Sequence, residues 1–401
     1  METNTPNLCE SFDFWGNIKY LILIYLKMRT LFYICYLLSN LYIANSSFQT
    51  SFFKELNKQF INKNLIISPL SAYQVLSLTA NGAKENTLNE MISALGGKSL
   101  EELNKINMQI LNEAKKFTTV EIANAIMTKI TPNKVFEAAC QKYGASIQTL
   151  KSVSQVNSWC NTKTHGKIKK ILDKLPENIK MILLNAVYFK GLWSTPFEKS
   201  MTMNKSFYNL NDKSKEKKVK RMQIRKEFQY YEDKEVQLVK LPYKKDSMSA
   251  IVILPNKNKN INEFISELSD EKLQRLIKKM RIEEVRLELP KFELEFSSQL
   301  NSVLKKLGMN DAFNENIANF NGIRNDLYIG EVIQKTYLKV DEEGTEAAAI
   351  TIVEVEATSA DPEEVPKIYP MIVDRPILFL LKNNKLPINN ELLFISKIEE
   401  L

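Results

Sequence analysis

The chain offers few side chains able to do covalent chemistry. His165 is its single histidine, so a histidine-rich metal centre is excluded, and any serine or cysteine hydrolase triad would have to use that residue. Ser68 and Ser71 are candidate nucleophiles, but His165 falls far along the chain on a segment predicted as helix (156–175), so neither serine has a plausible base. Cys9, Cys35, Cys140 and Cys160 are widely spaced with no C-x-x-C pair, which argues against a zinc or disulfide framework. The glycine-rich phosphate loops, the dinucleotide fingerprint and the nucleophile elbow are all missing from the sequence. The expectation is a protein that is not an enzyme and that uses no metal and no cofactor.

The elements that would position any site come from an ordinary globular chain. Its 401 residues are 44% hydrophobic and 25% charged, with 55 Lys and Arg against 47 Asp and Glu. The resulting +8 is too mild to argue for a nucleic-acid partner. Helical periodicity is clear at 48–60, 71–81, 87–95 behind a Thr N-cap, 100–116 and 156–175. Strand-like runs follow at 120–127, 181–189, 237–241, 249–254, 285–289, 332–340, 377–381 and 392–395. Helices first and strands later, without βαβ alternation, predict an α+β domain with large mixed or antiparallel sheets. With no linker or repeat after about Ser47, residues 45–401 are expected to be a single domain.

Residues 1–44 read as an amino-terminal extension. Two apolar stretches, 20–26 and 31–43, are split by Lys27 and Arg29, and neither reaches the ~18–20 residues that span a bilayer. A signal peptide at 28–46 fits: Met28 would start it, Arg29 supply the charge, 31–38 the apolar core, and Ala44-Asn45-Ser46 the small-x-small cleavage site. The expected localisation is secreted and extracellular; the alternative is an extra amphipathic helix packed on the body. Cleavage would leave Cys140 and Cys160, either paired or as buried thiols, and secretion would make Asn204-Lys205-Ser206 a glycosylation acceptor. The basic run 213–226 reads as a solvated turn and edge strand, with a polyanion site as the lesser alternative.

One segment has an unusual composition. Between the runs 332–340 and 377–381 lies DEEGTEAAAITIVEVEATSADPEEVPKIYPMIVDRP, too long for an idle loop in a compact domain. At period two, one face is Thr345, Ala347, Ala349, Thr351, Val353, Val355 and Ala357, all small or apolar; the other carries Glu346, Glu354 and Glu356. Such a segment can be a strand with one buried face. Gly344 before it, and Pro362 and Pro366 after it, allow it equally to be an exposed loop. Compatibility with both states points to a switch; the plainer alternative is a strand followed by an acidic loop.

The octapeptide EEGTEAAA, formed by Glu342, Glu343, Gly344, Thr345, Glu346, Ala347, Ala348 and Ala349, resembles the hinge of the serpin reactive-centre loop. Other blocks are similar to the family in the same order: NLIISPLSAYQVLSLTANGAKENTLNEM (64–91), VEIANAIM (120–127), VNSWCNTKTHGKI (156–168), LLNAVYFKGLWSTPFE (183–198), LPKFELEFSSQLNSVLKKLGMNDAF (289–313), FNGI (320–323) and DRPILFLL (374–381). The resemblance covers nearly everything from Ser47 to Ile398. It implies a serpin fold of three β-sheets and eight or nine helices, with an exposed reactive-centre loop at about 342–375.

The resemblance also implies a mechanism. A target protease attacks the loop as substrate, and after acylation the cleaved loop inserts as an extra strand into the main sheet and traps the covalently bound enzyme. Small residues at Thr345, Ala347 and Ala349 would let insertion begin quickly. Ser68, Ser71, Asn185 and Gln334 match the polar cluster under the sheet's opening, Trp193 matches the tryptophan at its upper end, and Gly191 and Pro196 match the neighbouring turn. Family spacing puts the reactive bond at Thr358-Ser359, within a residue or two. Thr358 is small and no Lys or Arg lies between Lys339 and Lys367, so the implied target is a serine protease of small or neutral specificity, elastase-like or subtilisin-like. A cysteine protease is a further candidate partner, heparin-like polyanions are not expected, and the implied monomer carries a risk of loop-exchange polymerisation. Gln334 stands where the family usually has histidine, Gly330 where it often has serine, Ser396 where glycine is common, and Ile350 where alanine is usual. The alternative is a non-inhibitory serpin, a binding or chaperone module.

Overall fold

Helix Pro69–Ala80 shows how the sequence builds this molecule: every residue in it is buried. Its apolar residues surround the axis, and its polar ones, Ser71, Gln74, Ser77 and Thr79, are small or uncharged, so it can be buried as a core helix. Ser68 caps it, accepting from Ser71 N, and Pro69 occupies the first turn, where its missing N–H costs nothing. The computed structural model describes Arg29 and residues 47–114, 116, 120–175, 178–209, 216–244, 248–345 and 367–401. Cys9, Cys35 and the leader expected at 28–46, Arg29 excepted, lie outside the described residues.

Ser47–Leu401 forms one compact unit. Its strands, in chain order, are β1 (Leu65–Ile67), β2 (Val120–Thr128), β3 (Ser146–Thr149), β4 (Met181–Phe189), β5 (Gly191–Leu192), β6 (Met203–Tyr208), β7 (Glu216–Glu232) and β8 (Val236–Pro242). They continue with β9 (Met248–Pro255), β10 (Arg281–Pro290), β11 (Phe292–Gln299), β12 (Glu331–Val340), β13 (Gly344–Thr345), β14 (Ile368–Ile372), β15 (Ile377–Asn383) and β16 (Leu392–Ile398). Among the described residues they make three sheets. A five-stranded sheet runs β11-β12-β4-β2-β3; a nine-stranded one runs β1-β16-β15-β9-β8-β7-β10-β14, with β6 on β7; β13 and β5 form a two-stranded ribbon.

Strand β4 explains its own unbroken hydrophobic run, because both of its faces are covered. Met181, Leu183, Val187 and Phe189 enter the main core, whereas Ile182, Leu184, Ala186 and Tyr188 enter a second cluster with Val156, Trp159 and Cys160 of helix Val153–Lys163. That helix stops well short of the expected 175. Thr164 Oγ1 donates to Cys160 O at 2.8 Å, and His165 (φ 50°) and Gly166 (φ 81°) take left-handed conformations that end it. His165 therefore sits in a turn, not on a helix.

One further expectation changes. The helix expected to start at Thr87 begins at Glu85, capped by Lys84 without a side-chain bond; Thr87 is buried inside it and accepts from Asn319 N at 3.0 Å. The basic run keeps an edge character: β7 pairs with β6 over 216–221 and with β10 from 221 onward, so apart from Lys220 and Arg221 each described residue of the run has a strand on one side only, residues 213–215 lying outside the described residues. The strand-rich second half also holds helices, Ile261–Ser266, Asp270–Lys278 and Asn301–Lys306, each of nine residues or fewer. Among the described residues no helix is long and apolar enough to cross a membrane.

Candidate functional site: the β4/β12 seam

The centre of the five-stranded sheet is a parallel pair. β12 and β4 register from Glu331 against Ile182 to Tyr337 against Tyr188. Their neighbours β11 and β2 pair antiparallel to them, so this seam has the slightly less stable parallel geometry, which the sheet otherwise shows only where the short β3 joins β2 at its border.

Part way along the seam the structure brings Ser68, Ser71, Asn185 and Gln334 together. Gln334 and Asn185 are register partners, and Asn124 on β2 faces Asn185 from the other side. Gln334 Nε2 donates to Asn185 Oδ1 at 2.7 Å and to Ser68 O at 2.9 Å, while Gln334 Oε1 accepts from Ser68 N at 2.9 Å. Asn185 Nδ2 donates to Ser71 Oγ and, at 2.6 Å, to Asn124 Oδ1. All four expected residues are buried, and one carboxamide thus ties two strands to the cap of helix Pro69–Ala80. Gln334 meets every bond from a neutral group, so nothing in this knot titrates near neutral pH. The other departures also have local causes or costs. A Cβ on Gly330 would lie 2.5 Å from Ile179 Cγ1, and Ser396 is fully buried with an Oγ that finds no partner among the described residues.

Trp193 belongs elsewhere, beyond the other end of β4. Its ring stacks on Tyr243 with centroids 4.4 Å apart, and its Nε1 donates to Asp341 O at 3.0 Å. It works with the hinge, not with the four-residue knot. The hinge leaves β12 in a turn stapled by Asp341, whose Oδ1 accepts from Glu343 N at 3.1 Å and Gly344 N at 3.3 Å. Trp193 N then donates to Glu343 O, Phe197 N to Glu342 O, and Gly344-Thr345 pairs with Leu192-Gly191 as β13 on β5. Gly344 is obligatory here, because a Cβ would sit 1.9 Å from Gly191 O. Gly191 is equally confined, 2.7 Å from the rings of Phe189 and Tyr243 on the same test.

Three side chains anchor this hinge. Thr345 is fully buried and bonds Tyr243 Oη at 2.8 Å. Glu342 is buried and accepts from Lys291 Nζ at 2.5 Å and Thr202 Oγ1 at 2.7 Å; Glu343 pairs with Lys199 at the surface. Burial opposes the charge on Glu342, but the Lys291 and Thr202 bonds outweigh it and hold the carboxyl below the usual glutamate range. Burial alone drives the Tyr243 phenol well above its ordinary value. Glu346, Ala347, Ala348 and Ala349, and the bond Thr358-Ser359, lie outside the described residues. The chain is described again from Lys367, and β14 runs parallel to β10 at the border of the nine-stranded sheet.

Neither cysteine of the body is poised for chemistry. Cys140 and Cys160 are free thiols buried in separate clusters, and burial pushes each up to about 12. His165 meets Glu121 at 2.6 Å on the exposed surface, away from Ser68 and Ser71. Sequence reasoning missed Asn124, Thr202, Tyr243 and Lys291. No local pattern marks them, since each becomes functional only through a long-range contact.

Comparison with known proteins agrees with this architecture. The family model for Serpin (serine protease inhibitor) matches residues 43–401. The leukocyte elastase inhibitor of Equus caballus is 32% identical, over 85% of this chain and 95% of its own. The intracellular coagulation inhibitor 2 of Tachypleus tridentatus is also 32% identical, over 84% and 86% respectively. Among solved structures, the thermophilic serpin tengpin in the native state superposes with a TM-score of 0.78 at 35% identity, covering 90% of this chain and 94% of that one. The chain belongs to the serpin family, and its fold is the serpin fold. Serpins are protease inhibitors in kind, not catalysts, and the relatives found include proteins named for inhibition of elastase and of coagulation.

Proposed function

We propose that this protein is a suicide-substrate inhibitor of serine proteases with small or neutral specificity. The observation that carries the reading is the parallel β12/β4 seam with the hinge leaving directly from its end. A segment returning from Thr345 between these strands would run antiparallel to both, replacing one parallel pairing by two antiparallel ones. Its small face, Thr345, Ala347 and Ala349, suits entry into a closed sheet, and among the described residues the hinge pairs as a strand over just two residues, Gly344 and Thr345.

The target protease cleaves at Thr358-Ser359 or an adjacent bond, and the acyl-enzyme is trapped as the loop inserts. The small Thr358 matches an elastase-like or subtilisin-like pocket, and the 32% identical leukocyte elastase inhibitor supports that direction. Cysteine proteases, which also form acyl-enzymes, are secondary targets, and loop exchange between copies is the failure mode of the same opening. Residues 45–401 act as a single inhibitory domain, and the 28–46 leader exports it.

The test mixes the chain begun at Ser47 with neutrophil-type elastase, pancreatic elastase, subtilisin, trypsin and chymotrypsin. An SDS-stable complex and a peptide released after Thr358 or its neighbour are expected with the first three. Clean loop cleavage without a complex and without a gain in thermal stability would overturn the inhibitor reading. Thr345→Arg should turn complex formation into substrate turnover, because a buried charge cannot enter the seam.

A further inference from the structure

We infer that processing at the Ser46-Ser47 bond creates a new amino terminus whose ammonium group is seated on the carboxylate of Asp270. The inference rests on the leader reading above. Ser47 N lies 2.6 Å from Asp270 Oδ2, Ser47 Oγ donates to Asp270 Oδ1 at 2.7 Å, and Thr50 Oγ1 donates to the same oxygen at 2.6 Å. The two ends of this contact are 223 residues apart in sequence, at the starts of helices Phe48–Asn57 and Asp270–Lys278. The hydroxyls take Oδ1, while Oδ2 receives the backbone nitrogen.

Two independent boundaries fall at this same bond. Ala44 and Ser46 place small residues at the third and first positions before it, and the compact unit begins at Ser47. Hydrolysis adds water across the peptide bond, leaving a carboxylate on Ser46 and an amine on Ser47 that takes up a proton. A neutral N–H donor thereby becomes a cation within hydrogen-bond reach of a carboxylate, the stronger form of the same contact. The charged neighbours act on it too, Lys54 being attracted electrostatically to Asp270. Lys54 donates to Leu268 O at 3.1 Å, and Lys272 is occupied by Glu235 and Glu267 at 3.1 Å each; Glu271, beside Asp270, adds negative charge. The cut thus fastens the first helix to the body while removing the leader.

Expression of the full chain in secreting eukaryotic cells, with amino-terminal sequencing of the medium, tests the cut. Ser47 is expected as the first residue. A secreted product with another first residue overturns the processing site, and retention of the uncut chain in the cells overturns the leader reading itself. The seat is tested on chain begun at Ser47 by the pH dependence of α-amine acylation with a succinimidyl ester. The midpoint should rise by about half a unit or more above that of a peptide with the same start, whose amine titrates near about 7.7–8.0. Asp270→Asn should return it to the peptide value, and acetylation of the Ser47 amine should lower the unfolding temperature by about 1–2 °C. A wild-type amine that titrates like the peptide, or an acetylated protein as stable as the free one, overturns the seat whether or not the variant folds.

Discussion

The seam between β4 and β12 and the hinge that leaves it are fastened by opposite means. The knot at Gln334 is neutral, buried and built from carboxamides and hydroxyls. The hinge anchor at Glu342 is charged, and its partner Lys291 keeps a third of its side chain in solvent. A neutral buried knot is indifferent to salt and pH but fails abruptly when one member is lost. A half-exposed ion pair is weaker, screened and adjustable. The sheet is therefore clamped firmly in its middle and lightly at the end where a loop strand would enter, an arrangement suited to opening from the hinge.

The largest break should come from Gln334→Ala. It strands Ser68 N and Asn185 Oδ1 in a dry site, leaves Ser68 O with Ala72 N alone, and should cost about 3 kcal/mol, read as a lower midpoint of denaturant unfolding. Glu342→Gln should cost less, about 1–2 kcal/mol, because Thr202 can still be met and Lys291 reaches water; a loss equal to that at Gln334 would erase the contrast. The same variant tests the pH behaviour. Since the folded carboxyl of Glu342 is lowered, its stabilisation is full above the ordinary glutamate value near 4.5 and is lost as pH falls through the lowered one. Wild type should lose this increment in acid titrations followed by tryptophan fluorescence, and Glu342→Gln should not.

Trp193→Phe should cost about 1 kcal/mol, since stacking on Tyr243 survives and only the bond to Asp341 O is lost. The smallest effect sharpens the comparison from the other side. In Gln334→His, burial would depress the imidazole, so stability would be present above about pH 6.5 and fall as pH drops below it. The wild-type knot contributes no such slope, and unfolding midpoints measured from pH 8 to 5.5 on both proteins would reveal whether this is so.

Much of the fold was legible in local pattern. The runs at 181–189, 332–340 and 377–381 become β4, β12 and β15 nearly to the residue; β4 and β15 are buried throughout and so read as near-continuous apolar runs, while β12 is legible by its Val, Ile, Tyr and Leu. Legibility failed where short range and long range disagree. The periodicity of 156–175 carries past Lys163, yet Thr164, His165 and Gly166 close the helix through a side-chain bond and two left-handed residues. Within the site, resemblance named Ser68, Ser71, Asn185 and Gln334 as one cluster and set Trp193 at the upper end of the opening, but the bonds that tie Trp193 to the hinge are visible only in the fold.

The sequence by itself determined the chemistry that is not there and the material that is. One histidine leaves Ser68 and Ser71 without a base, and a hinge of glutamates, glycine, threonine and alanines suits a strand as well as a loop. Tertiary structure decided which groups meet. Glu342 finds Lys291, Thr345 finds Tyr243, and Ser47 finds Asp270 across 223 residues. Composition and periodicity encode what a segment can bury, a local property. Partners across a sheet or between helix starts are fixed by register and packing, which exist only once distant segments have closed on one core.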